Sequence, residues 1–135
     1  MSRETFEQGE VVEDWVINKL CQEELNVKRI NNEIDILVKK QEVEIKSTHL
    51  LLCSNENNIR QGRYIFKNKN QVSYLCKNSI DIIFVVVHDK QYIIQGVLNS
   101  KELKDLDKKE SYSISEIQRR YILTYEDWLK GVKKL

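Results

Sequence analysis

Residues 33–46 read EIDILVKKQEVEIK, and this stretch predicts both the fold and the chemistry of the chain. Apolar and polar residues alternate in two short runs within it, as they do in strands that have one buried face. We predict a first strand over 34–38 and a second over 43–46, joined by the polar residues 39–42. Two such strands, adjacent along the chain, form a β-hairpin.

The hairpin gathers polar side chains on one of its faces. An even number of residues in the connecting loop makes the apolar faces of the two strands coincide, and the polar faces with them. A two-residue loop places Asp35 opposite Glu44, whereas a four-residue loop places Asp35 opposite Lys46, with Glu44 beside it. The sequence leaves both registers open. In either one, two carboxylates and an amine share a small surface.

These side-chain types suit the hydrolysis of a phosphodiester bond. Mg²⁺ takes one or two protein carboxylates and fills its other positions with water and phosphate oxygens. The cation lowers the pKa of bound water and stabilises charge on the phosphate, and Lys46 could position the attacking water or offset that charge. The alternative is an amphipathic hairpin whose polar face lies in solvent. The hairpin alone does not separate the two interpretations.

A predicted first helix, over residues 5–24, adds a third carboxylate. Glu13 falls in the middle of its apolar face, and a glutamate is rarely buried unless it is paired or bound to a metal. We therefore expect Glu13 to approach the hairpin; the alternative is a glutamate at the helix edge that reaches solvent. Glu10, at the margin of the face, is the weaker candidate. The apolar face consists of Phe6, Val16, Ile17 and Leu20.

The rest of the chain predicts an α/β domain with a mixed sheet covered by helices. Ile80–Val87 is a continuous apolar run rich in β-branched residues, typical of a central strand buried on both faces. Gln91–Val97 alternates as an edge strand does. We further predict a loose segment over 50–58, a short strand over 63–66, and helices over 71–76, 101–106 and 124–135, the last two capped by Ser100 and Thr124.

Length and composition exclude several classes of protein. A chain of 135 residues accommodates one domain, residues 1–135, and 41% hydrophobic with 32% charged residues is the composition of an ordinary globular protein. No apolar run approaches the roughly 20 residues that cross a bilayer, and the N-terminus lacks the apolar stretch of a signal peptide. We therefore expect a cytoplasmic protein without a membrane partner. The cysteines, Cys21, Cys53 and Cys76, are too scattered for a zinc or iron–sulfur centre.

The charge of the chain is unevenly distributed, although its net value is only +1. Residues 4–24 are acidic, whereas residues 60–69 carry several cations interleaved with Tyr64 and Phe66. Such a segment can bind phosphates and stack on bases, which predicts a nucleic-acid-binding segment. A solvated basic loop is the alternative interpretation. The cations are Arg60, Arg63, Lys67 and Lys69.

Three motifs together resemble the PD-(D/E)XK nuclease superfamily, which includes archaeal Holliday junction resolvases and many restriction enzymes. They are GEVVE at 9–13, EIDIL at 33–37 and VEIKS at 43–47. The resemblance implies a restriction-endonuclease-like fold, a mixed β-sheet flanked by helices, and an Mg²⁺ or Mn²⁺ site. It matches Glu13 to the helix glutamate, Asp35 to the metal-bridging aspartate, Glu44 and Lys46 to the Glu-x-Lys pair, and Ile45 to the residue whose carbonyl binds metal.

The sequence departs from the superfamily pattern at two points. No proline precedes Asp35, and the gap from Asp35 to Glu44 is short, so the hairpin must turn tightly. Some members carry a glutamine on the following helix, and Gln71 and Ser47 are accessory candidates. A solvent-exposed glutamine is the interpretation that we favour for Gln71. The subgroup with a four-cysteine cluster is excluded, since the chain has three cysteines.

The resemblance implies a metal-dependent endonuclease acting on DNA, either selective for branched structures, as junction resolvases are, or of the restriction type. A chain this short has no room for a separate recognition domain, which favours a homodimer. The competing hypothesis is a nucleic-acid-binding module that keeps the fold without cleaving. Catalysis is favoured because every chemical position is filled. The sequence does not decide between DNA and RNA.

Overall fold

The computed structural model describes residues 3–30, 35–50, 52–55, 58–67, 69–99, 110–120 and 122–135. It describes the side chains of these residues except at 3–8, 52–55, 58–60 and 69.

A mixed five-stranded sheet, with the strand order β1-β2-β3-β7-β8, forms the centre of the fold. Strands β3 and β7 run parallel, and every other neighbouring pair is antiparallel. The side chains of β7 are buried on both faces of the sheet, whereas most of those of β3 are only partly buried. The strands are β1 (Val27–Arg29), β2 (Ile36–Val38), β3 (Gln41–His49), β7 (Asp81–His88) and β8 (Gln91–Asn99).

Four helices and two small strand pairs surround this sheet in the described part of the chain. Each pair is antiparallel: β4 with β5, and β6 with β9. The helices are α1 (Arg3–Cys21), α2 (Lys69–Lys77), α3 (Ile114–Gln118) and α4 (Tyr125–Lys133). The remaining strands are β4 (Leu52–Asn55), β5 (Asn58–Arg60), β6 (Arg63–Ile65) and β9 (Ser111–Ser113).

The sheet separates two hydrophobic cores. Strand β7 supplies both, because successive side chains of a strand point to opposite faces. Ile83 and Val85 pack with helices α1 and α4 in the first core. Ile82 and Phe84 pack with α2, α3 and the β6–β9 pair in the second. The prediction of a central strand buried on both faces, made from this apolar run, is thereby confirmed.

The hairpin at the start of the sheet turns at Lys39 and Lys40, so its loop has two residues. Of the two registers left open by the sequence, the two-residue loop is the one present. Lys39 takes a left-handed backbone conformation, with φ at 54°. Its Nζ donates to the backbone carbonyl of Lys133 at 2.8 Å, which ties the turn to the end of α4.

Most of the other predicted elements are confirmed, with small shifts at their ends. The edge strand is β8, and Thr124 caps α4 by accepting from the backbone N–H of Asp127 at 3.2 Å. The prediction of a loose segment over 50–58 is wrong, because β4 and the start of β5 form a strand pair there. The predicted helix over 101–106, with its cap Ser100, lies outside the described residues.

The fold class predicted from the sequence is confirmed: an α/β arrangement with a mixed sheet flanked by helices. It is compatible with a restriction-endonuclease-like fold. None of the helices that the structure describes is long and apolar enough to cross a membrane.

Candidate active site

The hairpin register brings Asp35 against Glu44. Ile36 pairs with Val43 across the two strands, so one step further along the ladder Asp35 lies opposite Glu44. The carboxyl groups of these two residues are joined by a hydrogen bond. The Asp35 Oδ2 atom also accepts from the backbone N–H of Ile45 at 2.7 Å, which holds Asp35 at this position.

Burial makes the carboxyl pair electrostatically unusual. Glu44 is 4% exposed, on the face of β3 that packs against the second core. Burial, then the hydrogen bond and the negative charge of Asp35, raise the pKa of Glu44 to about 10. Two carboxylates in contact cannot both ionise unless a cation compensates them. At neutral pH, the pair therefore requires either a shared proton or a bound cation.

Lys46 lies on the same face of β3 as Glu44, because residues two apart on a strand point the same way. Its Nζ is 4.7 Å from the centroid of the Phe66 ring and donates to the Oε1 atom of Gln71 at 3.4 Å. Burial lowers the pKa of Lys46, against the opposing effects of Glu44 and Asp35. The amine and the carboxyl pair thus share one largely desolvated position, as the motif predicted.

Gln71 is the residue that the sequence interpretation placed wrongly. It is 9% exposed rather than at the surface. Its Oε1 atom accepts from the backbone N–H of Lys67 at 2.6 Å as well as from Lys46. Gln71 therefore connects α2 to the Lys46 amine. One signal was available: Gln71 shares a helix face with Leu75, four residues on, which is fully buried.

Glu13 reaches the rim of the site from α1. It is 20% exposed, and burial followed by the charge of Asp35 raises its pKa, while Arg29 lowers it. Glu13 therefore lies close enough to Asp35 for their charges to interact, whereas its role as a metal ligand stays a prediction. Glu10 is exposed. Of the two helix carboxylates considered, the structure therefore favours Glu13.

Arg29, on β1, is a cation at the rim that the sequence analysis did not identify. Its Nη1 atom lies 3.0 Å from the Oε1 atom of Glu13, and its guanidinium also pairs with Asp14. About half of the Arg29 side chain is exposed. A three-residue strand has too little pattern to be recognised from sequence, and no motif singled out this arginine.

The basic segment after β5 is only partly available to a ligand. Arg63 donates to the Ser111 Oγ atom at 2.6 Å and pairs with Glu116 at 3.2 Å. Tyr64 and Phe66 are fully buried in the second core, so the predicted stacking of these rings on bases is wrong. Lys67 is exposed. The side chains of Arg60 and Lys69 lie outside those that the structure describes.

Ser47 does not join the site. It follows Lys46 on β3, so its side chain points to the opposite face of the sheet. Its predicted accessory role is therefore not supported by the fold.

A scan of the chain against protein-family models matched none, and a search of curated proteins found no similar chain. The function of the chain must therefore be inferred from the side chains of the site.

The donor atoms at the site fit a hard divalent cation that keeps most of its water. Asp35 and Glu44 supply the one or two carboxylates that Mg²⁺ takes from proteins. The Ile45 N–H faces Asp35, and its carbonyl points to the same edge, since both groups of a strand residue do so. Among the described residues, no group of three or more His, Cys, Asp and Glu side chains has the spacing of a metal centre. A site closed by protein ligands, as structural zinc requires, is thus not indicated there.

Proposed function

We propose that this protein is a metal-dependent endonuclease that hydrolyses phosphodiester bonds in DNA, with Asp35, Glu44 and Lys46 as its catalytic residues. One observation carries the proposal. The hydrogen-bonded carboxyl pair and the Lys46 amine occupy the same buried position, although buried charges destabilise a fold unless they are compensated. A chain that needed only a stable hairpin would keep these groups in solvent.

Each residue has a role in this proposal. Asp35, Glu44 and the Ile45 carbonyl would hold Mg²⁺ or Mn²⁺, which when bound lowers the pKa of water and polarises the phosphate. Lys46 orients the attacking water or offsets negative charge on the phosphate. Gln71 fixes the Lys46 amine, because its Oε1 atom accepts a hydrogen bond from the Lys46 Nζ at 3.4 Å.

Several finer features belong to this proposal. The substrate is a branched junction or a specific duplex sequence, and the enzyme acts as a homodimer. A reducing cytoplasm suits the three scattered cysteines of the chain.

A binding module without catalysis competes with this proposal, and one observation favours it. The carboxyl pair is already satisfied by its internal hydrogen bond, which a shared proton can maintain without any cation.

The deciding experiment compares isosteric variants of the site with matched controls on the same hairpin. Asp35→Asn, Glu44→Gln and Lys46→Met should each slow cleavage at least about 100-fold, because each removes a charge used in the transition state. The controls Glu42→Gln and Lys40→Met each remove a charge of the same sign from a neighbouring position of the hairpin, and they should leave the cleavage rate unchanged. Linear, nicked, branched and single-stranded DNA are incubated with Mg²⁺, Mn²⁺ or EDTA.

Cleavage that persists in EDTA, or that survives in Asp35→Asn, would reject the proposed mechanism. Binding of DNA without cleavage of any substrate, in every metal, would favour the binding module instead.

A further inference from the structure

A group of ion pairs at the rim of the candidate site joins β1 to α1. The Arg29 Nη1 atom lies 3.0 Å from the Glu13 Oε1 atom, and the other terminal nitrogen of the guanidinium pairs with Asp14. Consecutive residues of a helix point in different directions, so the guanidinium lies between two separate carboxylates of α1. Arg29 therefore already occupies the carboxylate that is expected to serve the metal.

These ion pairs are easily exchanged, because much of the group lies in solvent. The side chain of Arg29 is 48% exposed and that of Asp14 is 60% exposed. Ion pairs between exposed side chains contribute little to stability, since water and salt compete with both partners. Another anion can therefore replace the carboxylates on the guanidinium without disturbing the fold.

Glu13 also faces the carboxyl pair of the site. Burial and then the negative charge of Asp35 raise the pKa of Glu13, and the charge of Glu13 adds to the effects of burial and of Asp35 on the pKa of Glu44. Glu13 would thus be drawn towards a divalent cation held by Asp35 and Glu44, whereas the Arg29 guanidinium would be repelled by it. Arg29 and such a cation consequently compete for one carboxylate.

The backbone places Arg29 close to the metal-binding end of the hairpin. Arg29 pairs with Ile36 across β1 and β2, and the N–H of the next residue, Ile30, donates to the Asp35 carbonyl at 3.0 Å. Arg29 and Asp35 are therefore near neighbours on adjacent strands. A long, half-exposed side chain at this position can reach a phosphate that approaches the site.

We propose that Arg29 couples the binding of metal to the binding of DNA. In the free protein its guanidinium holds Glu13 and so weakens the affinity of the site for metal. A phosphate of the substrate takes the place of the carboxylates, because guanidinium binds phosphate through two parallel hydrogen bonds. Glu13 is then released to the metal site. This inference rests on the proposed function and adds a regulation to it: the site reaches its full metal affinity only beside a phosphate backbone.

Calorimetric titration of the full chain with Ca²⁺ measures metal affinity without cleavage. In the absence of DNA, Arg29→Met should bind Ca²⁺ roughly three- to fivefold more tightly than the wild type, which is the factor expected of one such ion pair. Lys28→Met is the matched control, since Lys28 is an exposed cation on the same strand, and it should change the affinity by less than about twofold.

The same titration with a saturating short duplex tests the coupling itself. The wild type and Arg29→Met should now bind Ca²⁺ equally tightly, because the phosphate has already removed Arg29 from Glu13 in the wild type. Binding free energies are coupled reciprocally, so Ca²⁺ should also raise the affinity of the wild type for the duplex more than it does in Arg29→Met.

Two further variants show whether the effect passes through Glu13. In a Glu13→Gln background, Arg29→Met should change the Ca²⁺ affinity no more than Lys28→Met does, as in a double-mutant cycle. Arg29→Gln, which keeps a polar side chain at this exposed position, should behave as Arg29→Met does.

The outcomes separate this inference from the proposed function. Equal Ca²⁺ affinities of the wild type and the Arg29 variants without DNA would overturn the coupling and leave the nuclease proposal intact. So would a gain that persists in full when the duplex is bound, or in the Glu13→Gln background. A wild type that binds neither Ca²⁺, Mg²⁺ nor Mn²⁺, with or without DNA, would reject the proposed function and the coupling with it.

Discussion

Glu44 shows at the scale of one residue how the proposed function would oppose the stability of the fold. Burying an ionisable carboxyl without compensation destabilises a fold, and Glu44 is both deeply buried and hydrogen-bonded to a second acid. The raised pKa of Glu44 reflects the cost of ionising this buried carboxyl. At neutral pH the folded chain must hold a proton, or a cation, that the unfolded chain does not need. A binding site kept in this condition is expected to be stabilised by its ligand.

We predict that Glu44→Gln makes the metal-free protein more stable at neutral pH. A group whose folded pKa is raised contributes stability below its unfolded pKa and loses it as the pH rises towards the folded value. The window here runs from 4.5 to about 10. The variant, which has no such group, should therefore be more stable than the wild type across this window, by about 3 kcal/mol at pH 7.

Urea unfolding in EDTA at pH 5, 7 and 9 measures this difference. Glu42→Gln, on the same strand, controls for the loss of a glutamate. A Glu44→Gln variant that is less stable than the wild type at every pH would show that the burial of the Glu44 carboxyl does not destabilise the fold. The charged groups that face Glu44, namely Asp35, Lys46 and Glu13, are unchanged in both variants.

At the scale of secondary-structure elements, a glycine-to-alanine substitution should have opposite effects on stability at two positions. A Cβ at Gly62 would overlap with the Thr48 hydroxyl and the His49 carbonyl, because the chain before β6 lies directly against β3. A Cβ at Gly131, in α4, would meet no atom within 4 Å. The first glycine is required by packing, and the second only weakens a helix.

We therefore predict that Gly62→Ala destabilises the protein by about 2 kcal/mol, through overpacking. Gly131→Ala should stabilise it by about 0.5–1 kcal/mol, since alanine restricts the unfolded chain and favours the helix. Thermal and urea unfolding of both variants measure the two effects. Equal effects of the same sign would contradict the close approach of Gly62 to β3.

Elements also explain which parts of the site could be predicted from the sequence. Asp35, Glu44 and Lys46 were found because they lie on two strands adjacent in sequence, where an alternation of two residues determines the shared face. Gln71 was misplaced, although it shares a helix face with the buried Leu75, because its burial depends on the packing of α2 against parts of the chain that are distant in sequence. Arg29 was missed because its strand of three residues carries too little pattern to be recognised. Tyr64 and Phe66 were assigned to a ligand because they alternate with cations, whereas the pairing of β6 with the distant β9 accompanies their burial in the second core.

At the scale of the whole molecule, the site occupies the place where the sheet narrows. Strand β3 spans Gln41–His49, whereas β2 spans only Ile36–Val38, so beyond Ile36 the described residues of β2 no longer pair with β3. The Ile45 N–H is satisfied by the Asp35 side chain instead of a strand partner. The ending of one strand beside a longer one thus frees backbone and side-chain oxygens for a ligand.

Charge at this scale limits how a polyanion can be bound. With a net charge of only +1, the molecule has no general attraction for DNA, so binding must use a local group of cations. Arg63 is engaged by Glu116, which leaves it less available than its exposure suggests. Lys67 is exposed, and its backbone N–H binds Gln71, the residue that contacts the Lys46 amine. Lys67 is therefore the described cation of the basic segment best placed to hold a phosphate beside the site.

We predict that Lys67→Met weakens DNA binding equally across unrelated sequences. If Lys67 contacts a phosphate, its loss should flatten the dependence of log affinity on log salt concentration by roughly 0.9 for duplex DNA. Lys130→Met is the matched control, because Lys130 is exposed on α4, a helix that packs on the opposite face of the sheet. Titration of fluorescent duplexes at several salt concentrations, with Ca²⁺ replacing Mg²⁺ to suppress cleavage, measures both slopes. A slope unchanged in Lys67→Met but reduced in Lys130→Met would place the DNA on the α1–α4 face, away from the carboxyl pair, and would contradict the proposed site.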